Sequence, residues 1–380
     1  MNPTRAEISF NKLEYNFNQI KKHIHSLSRR KKIKICGVVK ANAYGHGIQE
    51  ISKELISLGA DYLGVANYDE AIKLRTLIPD ASILVFGTLI HSKLKPAAYV
   101  AKLLKYNLIA TIASLETARF LDHYSRKFRR KFKVHIKVDT GMKRIGFDVK
   151  RAGKNIEQIF GYRNLDIEGI YTHFATSECR DKSFAKYQLN KFNDLLHNLK
   201  KSGMEFPLVH TANSGAILDM KDSYFDMVRP GIILYGYYPS EEVKNKIDLL
   251  PVMNFKSKVT YIKRVDANTG ISYGRSYFTD RKTFIGSVPV GYGDGYRRAL
   301  SNTGKVLING NYYPVVGAIT MDWFMVDLGE KHTVKVGDDV LLMGNEKMQT
   351  LGADKIASAL KTIPYEIICS VADRVQRIYT

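Results

Sequence analysis

The chain has 380 residues, with 58 Lys and Arg against 37 Asp and Glu, and a formal net charge of +21. This length exceeds what one hydrophobic core usually supports, so two domains are expected. The sequence has no apolar run near the ~20 residues of a membrane span, and its start lacks the apolar core of a signal peptide. Three scattered cysteines (36, 179 and 369) predict neither a disulfide framework nor a metal site. The sequence therefore predicts a cytoplasmic protein that binds no membrane and no metal.

The excess positive charge raises the question of a nucleic-acid partner. Its main clusters, SRRKKIK at 28–34 and SRKFRRKFK at 125–133, precede predicted strands and fit loops between elements. The sequence shows no zinc-finger spacing, no aromatic RNA-binding signature and no basic helix with heptads. A solvated basic surface is therefore favoured over nucleic-acid binding.

The first two-thirds of the chain alternates between short β-rich runs and amphipathic helical segments. Eight strand candidates lie at residues 34–39, 62–67, 83–87, 108–114, 133–139, 167–174, 207–213 and 225–231. Eight strands separated by helices predict an N-terminal (β/α)8 TIM-type barrel over residues 1–240. No G-x-G-x-x-G follows the first of them, which argues against a dinucleotide fold.

The pattern changes after about residue 240. Strand-like runs are separated there by short Gly, Asn and Asp turns, and this predicts a C-terminal mainly-β domain over residues 241–380. Ile-Asn-Gly-Asn at 308–311 is a hairpin signal, and a single helix is predicted near 350–361. The whole chain is thus predicted to be an α/β protein with a barrel followed by a β-domain.

The most informative segment is VVKANAYGHG at 38–47, where a buried strand ends on Lys40. α/β barrels keep their active sites at the C-terminal ends of their strands. An apolar mouth disfavours the ammonium form, so a free amine becomes available for addition to a carbonyl. A lysine at a strand end is usually a solvated cap, but its neighbours point to function. The segment resembles the pyridoxal-phosphate lysine motif of the bacterial alanine racemases.

The resemblance extends from residue 38 to 370 through further blocks in the same order. They are KVDTGMKRIGF (137–147), YTHFA (171–175), VHTANSGA (209–216), FDMVRPGIILYG (225–236), GISYGRSY (270–277), GYGDGYRRAL (291–300), GAITMDWFMVD (317–327) and IPYEIIC (363–369). It implies a pyridoxal-phosphate enzyme that interconverts L- and D-alanine for peptidoglycan. It also implies a homodimer in which each active site is shared between two chains.

The resemblance assigns the cofactor site residue by residue. Lys40 carries the cofactor covalently, and Arg229 faces its pyridine nitrogen, which an always-charged guanidinium would keep unprotonated. His173 lies beside the ring and contacts Arg229. Asn213 and Ser214, at a predicted strand-to-helix junction, suit a phosphate or a helix N-cap. The remaining cofactor-binding positions are Tyr44, Gly231, Ile232 and Tyr365.

The resemblance also assigns the groups that act on the substrate. Tyr273 is the second base, opposite Lys40, and a free tyrosine titrates near ~10, so it needs a nearby cation to act. Arg144 contacts that tyrosine and the substrate carboxylate. Lys137 matches a position carbamylated in some members, and its unmodified ammonium beside Arg144 would be electrostatically poor. Met321 offers a backbone N–H to the substrate, and Tyr292 lies at the entrance.

Three alternatives remain at this stage. A racemase for serine or lysine, or one of broad range, would differ in the pocket around Tyr292, Tyr365 and Trp323; the family often has glutamine at the position of Trp323. A non-catalytic pyridoxal-phosphate-binding barrel lacks the β-domain that carries GISYGRSY. A related decarboxylase is expected to have a cysteine and acidic residues in its C-terminal site.

Overall fold

A computed structural model describes residues 3–28, 32–89, 96–346 and 349–380. The helices are α1 (Phe10–Leu27), α2 (Lys40–Tyr44), α3 (Ile48–Ser57), α4 (Tyr68–Leu77), α5 (Pro96–Lys105), α6 (Leu115–Lys127), α7 (Val149–Phe160), α8 (Ser183–Lys201), α9 (Ser214–Asp219), α10 (Ala353–Ala359) and α11 (Pro364–Cys369). The centre of the predicted basic loop at 28–34 lies outside the described residues.

The strands of the first two-thirds are β1 (Arg5–Ile8), β2 (Lys34–Val38), β3 (Tyr62–Val65), β4 (Ile83–Val85), β5 (Ala110–Ile112), β6 (Phe132–Asp139), β7 (Phe147–Asp148), β8 (Leu165–Tyr171), β9 (Leu208–His210) and β10 (Met227–Val228). Those of the last third are β11 (Met253–Lys258), β12 (Tyr261–Val265), β13 (Gly270–Ile271), β14 (Tyr277–Phe278), β15 (Thr283–Val288), β16 (Lys305–Ile308), β17 (Asn311–Val316), β18 (Phe324–Gly329), β19 (Asp339–Glu346), β20 (Gln349–Leu351) and β21 (Gln376–Tyr379).

Eight parallel strands form a closed barrel. Two runs, β10-β2-β3-β4 and β5-β6-β8-β9, are joined by a parallel bridge between Leu84 and Ile109. The ring closes where the amide of Asp226 donates to the carbonyl of Val209, 2.9 Å away. Strands such as β3 are buried along their whole length because helices cover the barrel. The predicted (β/α)8 fold is confirmed, and each predicted strand overlaps one of these eight.

Helix α3 illustrates why the predicted helices form. Its buried residues Ile48, Ile51 and Leu55 recur at intervals of three and four, which places them on one face against the barrel. The other amphipathic segments read from the sequence correspond to α4, α6 and α8. Among the described residues, no helix combines the length and apolar character needed to cross a bilayer.

The last third forms a ten-stranded sheet in the order β12-β15-β18-β17-β16-β19-β11-β1-β21, with β20 paired to β19. Asn309 and Gly310 form the predicted two-residue hairpin turn between β16 and β17, with φ values of 49° and 80°. The predicted helix of this region is α10. The mainly-β character predicted for the C-terminal region is therefore confirmed.

The first strand departs from the predicted division of the chain. The sequence placed residues 1–240 in the barrel, but β1 pairs antiparallel with β11 and parallel with β21 in the C-terminal sheet. Ala6 and Ile8 are fully buried there, while Arg5 and Glu7 form ion pairs on the other side of the strand. Burial of one face and charge pairing on the other fix this strand in the sheet. The boundary near residue 240 remains a prediction.

Candidate active site

An unusual turn delivers Lys40 to the mouth of the barrel. The four residues after it, Ala41 to Tyr44, all have φ values of 53–54°, a left-handed run that non-glycine residues rarely adopt. The side chain of Asn42 accepts from the amide of Ile48 (2.8 Å), and Glu70 accepts from the amide of Ala41 (2.8 Å). Such bonds compensate for a strained backbone, and strain of this kind is concentrated at functional sites.

The amine of Lys40 is prepared for chemistry by its surroundings. Burial, and then the positive charge of Arg144, lower the pKa of Lys40 below its usual value. A larger share of the side chain is therefore an unprotonated amine at neutral pH than in a solvated lysine. The free amine is the form that adds to a carbonyl.

Tyr44, Gly231 and Ser214 form a small cradle on one wall of the mouth. Tyr44 is held between two other aromatic rings, with ring centres 4.8 Å from Tyr235 and 5.9 Å from Tyr365. The amide of Gly231 donates to the hydroxyl of Ser214, 2.9 Å away. A Cβ on Gly231 would lie 2.6 Å from the hydroxyl oxygen of Tyr44, so only glycine leaves this space open.

Asn213 and Ile232 support the cradle in different ways. The side-chain oxygen of Asn213 accepts from the amide of Ala216 (3.1 Å) and from the hydroxyl of Ser177 (2.7 Å), so it is the N-cap of α9. Ile232 is fully buried behind the cradle.

Arg229 is a deeply buried cation of the site, with only 3% of its surface exposed. It donates to the carbonyls of Thr172 and Thr211 (both 2.9 Å), to Nδ1 of His210 (2.7 Å), and weakly to Nδ1 of His173 (3.3 Å). Burial lowers its pKa to about 10. Among the described residues no carboxylate forms an ion pair with it. These four hydrogen bonds all go to uncharged acceptors.

A second buried cation, Lys137, lies close to Arg229. Its amine donates to the carbonyl of Val138 (2.9 Å), and burial, then the charge of Arg229, lower its pKa to about 7. Lys137 lies 5.1 Å and Arg229 5.4 Å from the ring centre of Tyr171, which stabilises both charges. Burial and the surrounding cations hold the pKa of His173 well below its usual value, so this imidazole is neutral.

One cavity of about 600 Å³ unites most of the predicted residues. Its lining includes Lys40, Tyr44, Lys137, Arg144, His173, Asn213, Ser214, Arg229, Gly231 and Tyr365.

Sequence reasoning missed Tyr171, which also lines this cavity. It precedes His173 by two residues along the strand direction, and this period places both side chains on the same face. That spacing was the available signal.

The β-domain residues are placed differently. Tyr273, Met321 and Tyr292 are 79%, 53% and 45% exposed, and they do not line the cavity of their own chain. Tyr273 projects from a turn that Ser272 begins with a φ of 63°.

The Met321 loop is braced by a residue that sequence reasoning also missed. Arg374 donates to Asp322 (2.7 Å) and Asp294 (2.8 Å), so it joins the two blocks that carry Met321 and Tyr292. Charge-assisted bonds of this type hold a loop in one orientation.

A partly buried lysine at the end of a barrel strand, with an appended β-domain, is the arrangement of a class of barrel enzymes that includes amino-acid racemases. The alanine racemase N-terminal domain model matches residues 8–239, and the C-terminal domain model matches residues 252–379. The chain belongs to the alanine racemase family.

Individual relatives agree over the full length. "Alanine racemase 2" of Caldanaerobacter subterraneus is 42% identical over 378 residues, covering 99% of this chain and 95% of the relative. An alanine racemase structure from Clostridium difficile 630 is 39% identical with a TM-score of 0.92, covering 100% of this chain and 96% of that one. A histidine racemase structure from Leuconostoc mesenteroides is 27% identical with a TM-score of 0.89, covering 100% and 98%.

Proposed function

We propose that this protein binds pyridoxal phosphate through Lys40 and interconverts L- and D-alanine, supplying D-alanine for peptidoglycan. The observation that carries this proposal is one cavity in which the partly buried Lys40, the Tyr44–Ser214–Gly231 cradle and the buried Arg229 meet. Curated and structural relatives named alanine racemase support the same reaction.

The residues present fit this cofactor. Lys40 supplies the amine that its aldehyde needs, and the open space at Gly231 beside two hydroxyl groups, those of Tyr44 and Ser214, suits a phosphate. Arg229 suits the pyridine nitrogen because it presents N–H groups and cannot supply a proton at neutral pH. Pyridoxal phosphate, when bound, supplies an electron sink that acidifies the substrate's α-hydrogen.

The protein's own residues then move the α-proton. The amine of Lys40 accepts the proton on one face of the bound amino acid, and the phenol oxygen of Tyr273 serves the other face. A single base cannot reach both faces of a clamped substrate, so inversion requires a second group. Arg144, at the mouth, holds the substrate carboxylate and stabilises the tyrosine when it has lost its proton.

We further propose a homodimer that brings the second base to the site. Tyr273 and Met321 are largely exposed in the single chain, so their side chains are available to contact a second chain. A two-fold axis would place them at the partner's barrel mouth. Each site would then take Lys40 from one chain and Tyr273 from the other.

A second candidate is a racemase of different or broader substrate range. The histidine racemase neighbour has the same fold along this entire chain, so the fold alone does not select alanine. Measuring racemisation of alanine, serine, lysine and histidine side by side decides between the two. The proposal predicts the highest kcat/KM for alanine, and a clear preference for another substrate would replace it.

The two bases can be separated by hydrogen exchange in heavy water. Tyr273→Ala should retain exchange of the α-hydrogen of D-alanine, which Lys40 handles, and lose exchange of the α-hydrogen of L-alanine. Tyr261→Ala, which changes another exposed tyrosine on β12, is the matched control and should exchange the α-hydrogens of both enantiomers. Equal residual exchange from the two enantiomers in Tyr273→Ala would contradict the assignment.

A further inference from the structure

A line of polar side chains crosses the interior of the barrel from Arg229 to Glu168. Nη1 of Arg229 lies 2.7 Å from Nδ1 of His210, and Nε2 of His210 lies 2.8 Å from Nδ1 of His135. Nε2 of His135 lies 3.1 Å from a carboxylate oxygen of Glu168. Barrel interiors are usually filled with branched apolar side chains, so two fully buried imidazoles in a row call for a physical reason.

The donors and acceptors of this line can run in only one direction. A guanidinium has five N–H donors and no acceptor, so Nδ1 of His210 must accept from Arg229. Each neutral imidazole has one donor and one acceptor, and therefore Nε2 of His210 donates to His135. Nε2 of His135 must then donate to Glu168. All three bonds have complementary partners in this arrangement.

Both imidazoles are neutral in this arrangement. Burial lowers the pKa of His135, and burial and the charge of Arg229 lower the pKa of His210 well below its usual value. The charges of the line are thus confined to its two ends, a buried guanidinium at the active site and a carboxylate at the far end of the barrel. Glu168 is partly exposed there, and Lys133 lies 3.6 Å from it.

We propose that Glu168 is a positioning residue for Arg229, acting through His135 and His210. Arg229 has no ion-paired carboxylate among the described residues. Glu168 instead supplies a negative charge that acts on Arg229 through the two imidazoles. By accepting from His135, the carboxylate polarises each imidazole in turn and makes Nδ1 of His210 a stronger acceptor. The guanidinium, which lines the cavity, is then held in one orientation. The importance of this orientation rests on the function proposed above.

The direction of the line can be measured in the unmutated full-length protein by NMR of chains labelled with ¹⁵N-histidine. Imidazole N–H protons in strong buried hydrogen bonds exchange slowly and resonate far downfield. Both His135 and His210 should carry their proton on Nε2, with Nδ1 unprotonated. A proton on Nδ1 of His210 would overturn the proposal, and this result needs neither a variant nor turnover.

The relay itself is tested by Glu168→Gln, which keeps the size and an acceptor oxygen but removes the charge. The Nε2–H resonances of both histidines should move upfield, that of His135 more than that of His210. Asp166→Asn removes an exposed carboxylate from the same strand and should move neither. If the His210 resonance stays in place in Glu168→Gln, the polarisation stops at His135 and the proposal is wrong.

Kinetics supply a second readout that a purely structural role would not produce. Glu168→Gln should lower kcat about tenfold, the scale of one weakened charge-assisted hydrogen bond, with KM nearly unchanged. A lower stability together with a higher KM, without a change in kcat, would indicate a packing role and overturn the proposal.

The NMR and activity results separate this inference from the proposed function. If both resonances move but the unmutated protein racemises nothing, the relay stands and the proposed function fails. If the unmutated protein racemises alanine but the His210 resonance does not respond, the relay alone fails.

Discussion

The barrel mouth and the β-domain surface hold the two halves of the proposed chemistry in opposite physical states. At the mouth, Lys137 and Arg229 are buried and Lys40 is partly buried. Burial lowers the pKa of all three, and the charge of Arg144 adds to this effect at Lys40, as that of Arg229 does at Lys137. On the β-domain, Tyr273 and Met321 project into solvent. In the proposed function, one chain therefore supplies the residues of the cofactor site, and its own Tyr273 lies outside that site.

This difference indicates where assembly matters. A tyrosine in water is a poor base at neutral pH, because it needs a nearby cation to lose its proton. The exposed guanidinium of Arg144 at the mouth can supply that cation only if Tyr273 comes to it. On the proposed function, a single chain would bind the cofactor, and racemisation would require the dimer.

The largest expected effect is a recovery of activity from two inactive variants. Lys40→Ala and Tyr273→Ala homodimers should each be nearly inactive, since every site lacks one base. After subunit exchange, half of the dimers are mixed, and each mixed dimer has one intact site. Activity should return to about a quarter of wild type.

The control for this experiment mixes Lys40→Ala with a double variant that also carries Lys40→Ala, in which no intact site can form. If mixed dimers are detected by mass spectrometry and no activity returns, the two bases belong to one chain. A shared site would then no longer explain why Tyr273 is exposed while the barrel mouth is buried.

Much of the fold followed from local patterns in the sequence. Strands such as β3 are apolar along their length, and helices such as α3 bury residues at intervals of three and four. The placement of β1 did not follow, because its partners β11 and β21 are far away in the chain. Nothing within four residues specifies pairing over such a separation.

The candidate site was predicted less evenly. Motifs located Lys40, Arg229 and the cradle because each occupies a strand end, and the fold brings strand ends together. The lowered pKa of Lys137 depends on burial and then on the charge of Arg229, and that of Arg229 on burial, which only the folded chain establishes. The line from Arg229 to Glu168 has no local signature, since its four members come from three separate strands and the segment after β10.

Reversing the charge at Arg229 is the next largest effect. In Arg229→Glu a buried carboxylate replaces a guanidinium that makes four hydrogen bonds. Loss of one or two charge-assisted bonds predicts a racemisation rate about a hundredfold lower. The carboxylate would also favour a protonated pyridine nitrogen, so transamination products should accumulate.

Arg229→Lys is the matched control, because it keeps the positive charge and loses the planar fork. It should slow racemisation without raising transamination. An unchanged rate and product ratio in Arg229→Glu would show that this arginine only shapes a turn. The burial of Arg229 at the mouth would then have no effect on the chemistry.

The third prediction concerns pH and the buried amine of Lys137. Its pKa is about 7 in the folded chain against an ordinary 10.5, so between these values only the unfolded chain holds the proton. The free energy of unfolding should therefore rise from pH 7 to 10.5 and fall again on acidification. The span is on the order of a few kcal/mol. Urea titrations of Lys137→Met should lack this slope, while Lys263→Met, on the exposed β12, should keep it.

The same free amine can react with carbon dioxide. An unprotonated amine adds to CO₂ and releases one proton, which leaves a carbamate in place of a buried cation. Bicarbonate should therefore raise the free energy of unfolding of the unmutated protein above pH 7, because the carbamate forms only in the folded chain, and it should add the mass of one CO₂ to the protein. A free energy of unfolding and a mass that bicarbonate leaves unchanged would mean that Lys137 stays unmodified.

The smallest effects come from two glycines, one in each region. Gly231→Ala places a Cβ 2.6 Å from the hydroxyl oxygen of Tyr44, and Tyr44 cannot retreat because Tyr235 and Tyr365 enclose its ring. The cradle should narrow, and the Kd of pyridoxal phosphate should rise about tenfold, with a small change in Tm.

Gly310→Ala, the control in the β-domain, meets no atom closer than 4.0 Å, but its φ of 80° costs about 1 kcal/mol of stability. It should lower Tm and leave the Kd unchanged. Cofactor titration by fluorescence and thermal melts of both variants give the full comparison. A higher Kd of pyridoxal phosphate in Gly310→Ala would show that the two regions are coupled through the fold.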